Sequence, residues 1–546
     1  SYKWQTRDES RPLCRAEIME LDRLIEELSR PAAYTHEAEP VQVHQTHISV
    51  VFLAGDRAYK VKKPVDFGFV DYSTLERREE FCRKEVRLNR RLAPEVYLGC
   101  IPIVEGPGGL EMGGEGTPIE WAVKMQRLPD ERRLEAWLER GELEAEHLRR
   151  LGRRIARFHA DADRGEEVDR WARFEKVVRH ARENFEESAD QVGTAVHSEV
   201  FDRARELNED ELERRRDRIE RRADEGAARD THGDLRLDHI YLYPEREPPD
   251  DLVIVDCIEF NDAFRYADPI ADIAFPVMDL SYAGRRDFAE VLVEAYFEES
   301  GDESGRELLD FYVAYRAAVR AKVEGLKATE EEVGDEERRR ALGEAKAHWM
   351  LTLGRLERPP RRPALVVVSG LPATGKSTVA RALAEEANFE VVDSDVVRKE
   401  LAGLDPHTDA SEAYGGGIYT EEWSERTYAE CRRRAENILY AGGRAVVDAT
   451  FYRRVRRRPF LELADSYAVP LVVVECQLHR QEVARRIEAR SEDVSDADLE
   501  IHDRIAEQWE AYSERARRSV FELETSGTIE QTRRRALDVL RRADLY

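Results

Sequence analysis

Residues 370–377 read Gly-Leu-Pro-Ala-Thr-Gly-Lys-Ser, the pattern G-x-x-x-x-G-K-[ST]. Glycines at 370 and 375 let the backbone curl so that successive N–H groups point inward, which is what a row of phosphate oxygens requires. The stretch follows the apolar run 364–369 and opens the helix-forming run 377–386. A strand before and a helix after are the setting in which this loop cradles a nucleotide, and the helix N-terminus adds partial positive charge. Gly370, Thr374, Gly375, Lys376, Ser377 and Thr378 are therefore the expected nucleotide contacts. Lys376 is expected to reach the β- and γ-phosphates during transfer, and the Ser377 hydroxyl to hold Mg²⁺. ATP and Mg²⁺ are the expected cofactors.

Two further apolar runs end in acids: 389–395 (Phe-Glu-Val-Val-Asp-Ser-Asp) and 444–448 (Arg-Ala-Val-Val-Asp). Ligands of open α/β sheets sit at strand ends. Asp395 is placed to take a proton from an acceptor hydroxyl, and Asp448 to support Mg²⁺. Arg486 and Arg490 lie one helical turn apart and can close over phosphates, or simply form a solvated face.

A second constellation lies upstream. Residues 231–240 read Thr-His-Gly-Asp-Leu-Arg-Leu-Asp-His-Ile, followed by Val-Ile-Val-Asp at 253–256 and Ala-Asp-Pro-Ile-Ala-Asp at 267–272. Such spacing suits phosphoryl transfer with a separate base and metal carboxylate. Asp234 is the expected base and Asp256 the expected Mg²⁺ ligand. Asp268 and Asp272 read as structural, fixing a loop or capping a helix.

The elements that must position these residues divide the chain in two. Three prolines among charges at 354–363 can neither continue a helix nor enter a central strand. The expected organisation is a first domain over 1–353, a linker at 354–363 and a second domain over 364–546. The second part alternates strand and helix, which predicts a parallel sheet with helices on both faces. In the first part, 47–63 reads as a hairpin turning near Gly55-Asp56, and a helix follows at about 74–92. Strand-like pieces at 100–104 and 119–127 then precede long helical stretches.

Composition narrows the function. With 87 Lys+Arg against 114 Asp+Glu, the 546-residue chain carries a net charge of −27. Its global field repels polyanions, so nucleic acid is an unexpected partner, although Arg453, Arg454 and 456–458 leave room for a local basic groove. No apolar run approaches the roughly 18 residues of a membrane span. The N-terminal residues do not read as a signal peptide, and the 6 Cys form no C-x-x-C pair, as expected in a reducing cytoplasm.

Residues 364–546 resemble the small P-loop kinases that include gluconate kinase, polynucleotide 5′-kinase, chloramphenicol phosphotransferase and the zeta toxins. The resemblance rests on the loop at 370–377, the strand end Asp393-Ser-Asp395 with Arg398, the strand end at Asp448, and Arg486/Arg490. It implies transfer of the ATP γ-phosphate to a hydroxyl, without choosing the acceptor. Residues 417–419 and 456–458 either contact that acceptor or are structural.

Residues 35–345 resemble the aminoglycoside phosphotransferase-like branch of the protein-kinase fold, through the His-Gly-Asp loop at 232–234 and the strand end at Asp256. The resemblance implies a two-lobed α+β domain in which Lys60, with Lys62 as the competing choice, pairs with Glu85 at the nucleotide. The family places Asn, a second metal ligand, five residues after the catalytic Asp. Here that position is His239, which either ligates the metal, a poor match for oxygen-seeking Mg²⁺, or hydrogen-bonds the loop. The whole chain is similar to bifunctional aminoglycoside phosphotransferase-like/P-loop ATP-binding proteins. The expectation is a tandem ATP-dependent kinase acting on small hydroxyl-bearing molecules. The alternatives are a nucleotide sensor with a pseudokinase N-terminal domain, or a C-terminal kinase of nucleic-acid 5′-hydroxyls.

Overall fold

A computed structural model describes residues 15–68, 70–330, 333–405, 417–488 and 496–546. The chain forms two compact units: 1–187 with 214–280 and 286–312, and 188–213 with 281–285 and 313–546.

The first unit opens with an amphipathic helix, α1 (Arg15–Leu28), followed by strands β1 (Val41–Gln45), β2 (Ser49–Ala54) and β3 (Arg57–Lys62). Helix α2 (Leu75–Asn89) starts where the Thr74 hydroxyl accepts the Arg77 N–H. That bond satisfies one of the orphan amides of a helix start. Strands β4 (Tyr97–Gly106), β5 (Gly109–Met112) and β6 (Pro118–Gln126) complete an antiparallel sheet of order β1-β2-β3-β6-β4-β5. The hairpin read at 47–63 is β2–β3, with Ala54 opposite Arg57. Gly55 takes φ +60°, and a side chain there would collide with the Glu37 carbonyl. Alternate residues of β3 share a face, so Lys60 and Lys62 point the same way. Short pairs β7 (Arg229–Asp230) with β10 (Tyr266–Ala267), and β8 (Ile240–Leu242) with β9 (Leu252–Ile254), frame the acidic loops.

The second unit holds a parallel sheet of order β12-β13-β11-β14-β15. Its strands are β11 (Ala364–Gly370), β12 (Glu390–Asp393), β13 (Arg444–Asp448), β14 (Leu471–Gln477) and β15 (Val520–Glu524). Ala364, Val366 and Val368 share one core with the helices Lys376–Ala387 and Ile529–Arg542. The alternate residues Leu365 and Val367 are buried as well. Both faces of β11 are therefore covered, as its unbroken apolar run requires.

The division into units differs from the one read at 354–363. Residues 313–353 and 188–213 are compact with the P-loop sheet. In that unit Trp349 is fully buried against Phe201, Arg203 pairs with Glu357, and a side chain at Gly442 would touch Leu353 and Val200. The helix Asp335–Leu356 is buried continuously from Ala347 to Leu353. A proline-rich turn breaks the helix without separating the apolar surfaces on either side of it.

Candidate functional site

The loop at 370–377 folds as its glycines demand. Gly370 has φ +144°, and a Cβ there would lie 2.7 Å from the Cys476 carbonyl oxygen and 2.9 Å from Thr374 Oγ1. Gly375 has φ +93° and caps the helix Lys376–Ala387. Arg486 lies against it, with Nη1 3.1 Å from where a Cβ would stand, and donates through Nη2 to the Thr525 carbonyl. Thr374 Oγ1 donates to the Leu371 carbonyl at 2.8 Å, and Lys376 Nζ to the same oxygen at 2.9 Å. Buried His502 binds the Pro372 carbonyl at 3.0 Å. The structure thus brings Gly370, Thr374, Gly375, Lys376, Ser377, Thr378 and Arg486 to one loop. Arg490 lies outside the described residues.

Sheet register delivers the acids to the same edge. Val368 pairs with Asp448, and Asp448 with Asp393. Burial raises the Asp448 carboxyl, while Lys376 and a hydrogen bond from the Ser377 hydroxyl pull it down. Hydroxyl, carboxylate and phosphate oxygens form the all-oxygen donor set that suits Mg²⁺, so Ser377 and Asp448 fit the expected ion. Asp393 caps the helix Ser394–Leu401, accepting the amides of Asp395 and Val396. Asp395 is left half-exposed, with Lys399 Nζ at 3.0 Å and the Tyr419 hydroxyl at 3.1 Å. Arg398 is buried, with Nη1 on the Ile418 carbonyl and its guanidinium over the Tyr419 ring. Arg456 pairs with Glu421 and stacks on Tyr428 and Tyr452.

In the first unit, the two lysines of β3 divide the carboxylates between them. Lys60 Nζ lies 2.8 Å from Asp256 Oδ1 and 3.0 Å from Glu85 Oε1. Lys62, wholly buried, lies 2.7 Å from Glu85 Oε2 and also binds Glu259, which accepts the Tyr72 hydroxyl at 2.7 Å. Lys60 is thus the lysine at Asp256, and Lys62 the one that fastens β3 to α2 and to Glu259. Lys60 holds the Asp256 carboxyl well below the ordinary carboxylate value, against the effect of burial. Asp256 itself has φ +67°, and its amide donates to the Tyr97 hydroxyl at 3.1 Å.

The loop carrying Asp234 is fixed from behind. Asp272, fully buried, accepts the amides of His232 (3.1 Å) and Gly233 (2.9 Å) and is itself held by His159 Nε2 at 3.1 Å. Burial lowers His232 to about 4, so its ring is neutral, with Nε2 donating to the Val255 carbonyl at 3.0 Å. Asp268 is committed to Arg222. His239 Nδ1 lies 2.9 Å from the Asp234 carbonyl, and its Nε2 faces Asp256 Oδ2 at 3.7 Å. Burial alone would lower the His239 imidazole; Asp234, Asp238 and Asp256 outweigh it and raise it. Asp234, Asp256, His239, Lys60 and Glu85 therefore converge. Among the described residues, no group of three or more His, Cys, Asp and Glu side chains is disposed to hold a metal by itself.

Sequence reasoning left several supports unassigned: Glu259 and Tyr72 around Lys62, His159 behind Asp272, and Thr525 and His502 behind the P-loop. None stands in a recognisable spacing. Glu259, three residues after Asp256, carried the one available signal, an acid in an apolar run.

This parallel sheet, with its glycine cradle at the end of the central strand, defines the C-terminal region as a P-loop α/β domain, and residues 365–514 match the family described as AAA domain. Across the longer chain, similarity extends to the uncharacterized proteins Rv2004c of Mycobacterium tuberculosis and Mb2027c of Mycobacterium bovis. Each is 34% identical over 461 residues, covering 84% of this chain and 88% of the relative. The chain belongs to the same family as these mycobacterial proteins. Among solved structures, a gluconokinase from Sinorhizobium meliloti 1021 is 20% identical, covering 34% of this chain and 94% of its own, with a TM-score of 0.26. A sugar kinase from Janibacter sp. HTCC2649 is 18% identical, covering 33% and 95%, with a TM-score of 0.25.

Proposed function

We propose that the protein is a tandem ATP-dependent phosphotransferase, each unit passing the γ-phosphate to a hydroxyl of a small molecule. The observation that carries this reading is the meeting of Lys376, Ser377 and Asp448 at the cradle, with Asp395 at the adjoining strand end. Amides of the loop and Lys376 bind and orient the phosphates, and Arg486 adds positive charge beside Gly375. Ser377 and Asp448 would hold Mg²⁺, which supplies neutralisation of phosphate charge when bound. Asp395 accepts the acceptor's hydroxyl proton through its carboxylate. In the first unit, read as an aminoglycoside phosphotransferase-like domain, Lys60 orients phosphates, Asp256 would hold the cation, and Asp234 receives the proton. The −27 charge favours small acceptors over polyanions.

The contact of His239 with its own loop favours a second reading, in which the first unit binds nucleotide without transfer and acts as a sensor. Turnover of ATP by the full chain, screened against sugars, aminoglycosides, nucleosides and 5′-hydroxyl oligonucleotides, tests both. Asp395→Asn is expected to lower turnover at the P-loop site about 10²–10⁴-fold while leaving nucleotide affinity unchanged. Asp234→Asn is expected to do the same for the first unit, and silence of that variant alone would select the sensor. If Lys376→Ala, Asp395→Asn and Asp234→Asn all leave every turnover intact, the phosphotransferase reading fails.

A further inference from the structure

We propose that the first unit takes its nucleotide with a single divalent cation, held by Asp256, and that His239 occupies by hydrogen bonding the place from which a second cation would be held. The inference rests on the reading of this unit as a nucleotide site. Protein-kinase-type sites hold two Mg²⁺, one on a strand-end Asp and one on an amide oxygen of the catalytic loop. Here the loop presents an imidazole instead, and its orientation is fixed. Nδ1 lies 2.9 Å from the Asp234 carbonyl oxygen. A carbonyl only accepts, so Nδ1 carries a hydrogen and cannot ligate a metal.

The remaining nitrogen, Nε2, stands 3.7 Å from Asp256 Oδ2 and 3.9 Å from Asp238 Oδ1. Mg²⁺ takes oxygen ligands at about 2.0–2.1 Å in a near-ideal octahedron, which puts neighbouring ligands about 3 Å apart. Nε2 has the wrong element and the wrong spacing. Turning the ring would break the bond to the Asp234 carbonyl. Asp256 cannot supply a second site unaided: its Oδ1 accepts Lys60 Nζ at 2.8 Å, and the Tyr97 hydroxyl fixes its backbone. With no cluster of three metal-ligating side chains among the described residues, the cation rests on Asp256 and the nucleotide's own oxygens.

The test counts cations. Full-length protein is saturated with the β,γ-imido analogue of ATP, and bound Mn²⁺ is measured from the electron paramagnetic resonance of the free ion. Wild-type protein is expected to bind two nucleotides and two Mn²⁺ per chain, one pair at the P-loop and one in the first unit. His239→Asn, which restores an amide oxygen, is expected to bind two nucleotides and three Mn²⁺. Two nucleotides with three Mn²⁺ in the wild type would overturn the proposal alone, and so would a His239→Asn chain that stays at two. A wild-type chain that binds one nucleotide would overturn the reading of the first unit itself. The wild-type count stands whether or not the variant folds.

Discussion

Lys60 and Lys62 sit two residues apart on one face of β3, and their substitution should have opposite consequences. The Lys62 side chain is 0% exposed, and its partners Glu85 and Glu259 are 1% and 5% exposed. Lys62→Met takes from Glu259 its ion-pair partner, leaving it the Tyr72 hydroxyl and the more distant charge of Lys60, and leaves Glu85 to Lys60. Breaking a buried pair from one side costs about 3–5 kcal/mol, because the remaining charge keeps its desolvation penalty. Lys60 is 17% exposed; of its two partners, Asp256 is 48% exposed, so water can replace that ion pair, and buried Glu85 keeps Lys62, so Lys60→Met should cost only about 1 kcal/mol. The first unit has roughly 280 residues. At about 2.1 cal/mol/K per residue its unfolding entropy is ~0.6 kcal/mol/K, so Lys62→Met should lower its melting temperature by about 5–8 °C and Lys60→Met by under about 2 °C. Hydrogen exchange of peptides spanning β3 and α2 reads the same difference locally, about 10²–10⁴-fold faster opening for Lys62→Met. Adding Glu259→Gln to Lys62→Met removes the stranded charge and should recover part of the loss. Nucleotide binding should follow the reverse order, lost in Lys60→Met while the fold stands. Equal destabilisation by the two substitutions, or a larger one from Lys60→Met, would refute the division of roles.

Further outcomes follow from single contacts. Gly370→Ala drives a Cβ to 2.7 Å from the backbone oxygen of Cys476 at φ +144°, so nucleotide binding at the P-loop should fall at least about 10²-fold by titration with a fluorescent ATP analogue. Gly403→Ala, at φ +71° with nothing within 4 Å, should leave that binding intact and cost only about 1–2 kcal/mol of stability. His232, lowered from 6.5 to about 4 by burial, binds its proton more weakly folded than unfolded. Its contribution is therefore complete above pH 6.5 and lost as pH falls toward 4, about 3 kcal/mol in all. Urea midpoints of the wild type against His232→Gln across that window should converge at low pH; parallel curves would refute the assignment.

Chemistry carried by contiguous residues was legible from the sequence. The phosphate loop is a local structure: glycine at 370 and 375, Lys and Ser after it, and a strand and helix on either side define its shape wherever it occurs. The parallel sheet was legible because a strand buried on both faces must be apolar throughout, as 364–368 and 445–447 are. Strand β15, written Val-Phe-Glu-Leu-Glu, escaped because an edge strand alternates with charge and resembles exposed chain. Tertiary structure decided what depends on pairing across distance. Lys60 and Lys62 are equivalent by pattern, and only the approach of Glu85, Asp256 and Glu259 gives one to the half-exposed Asp256 and the other to the core. Asp272 reads from sequence as an acid that fixes a loop or caps a helix, and only the fold chooses between them, by bringing it to two amides of a loop forty residues away. The division at 354–363 followed proline, a property of the backbone, whereas compactness follows buried apolar surface, which Trp349 and Leu353 extend past that turn to the second sheet's unit.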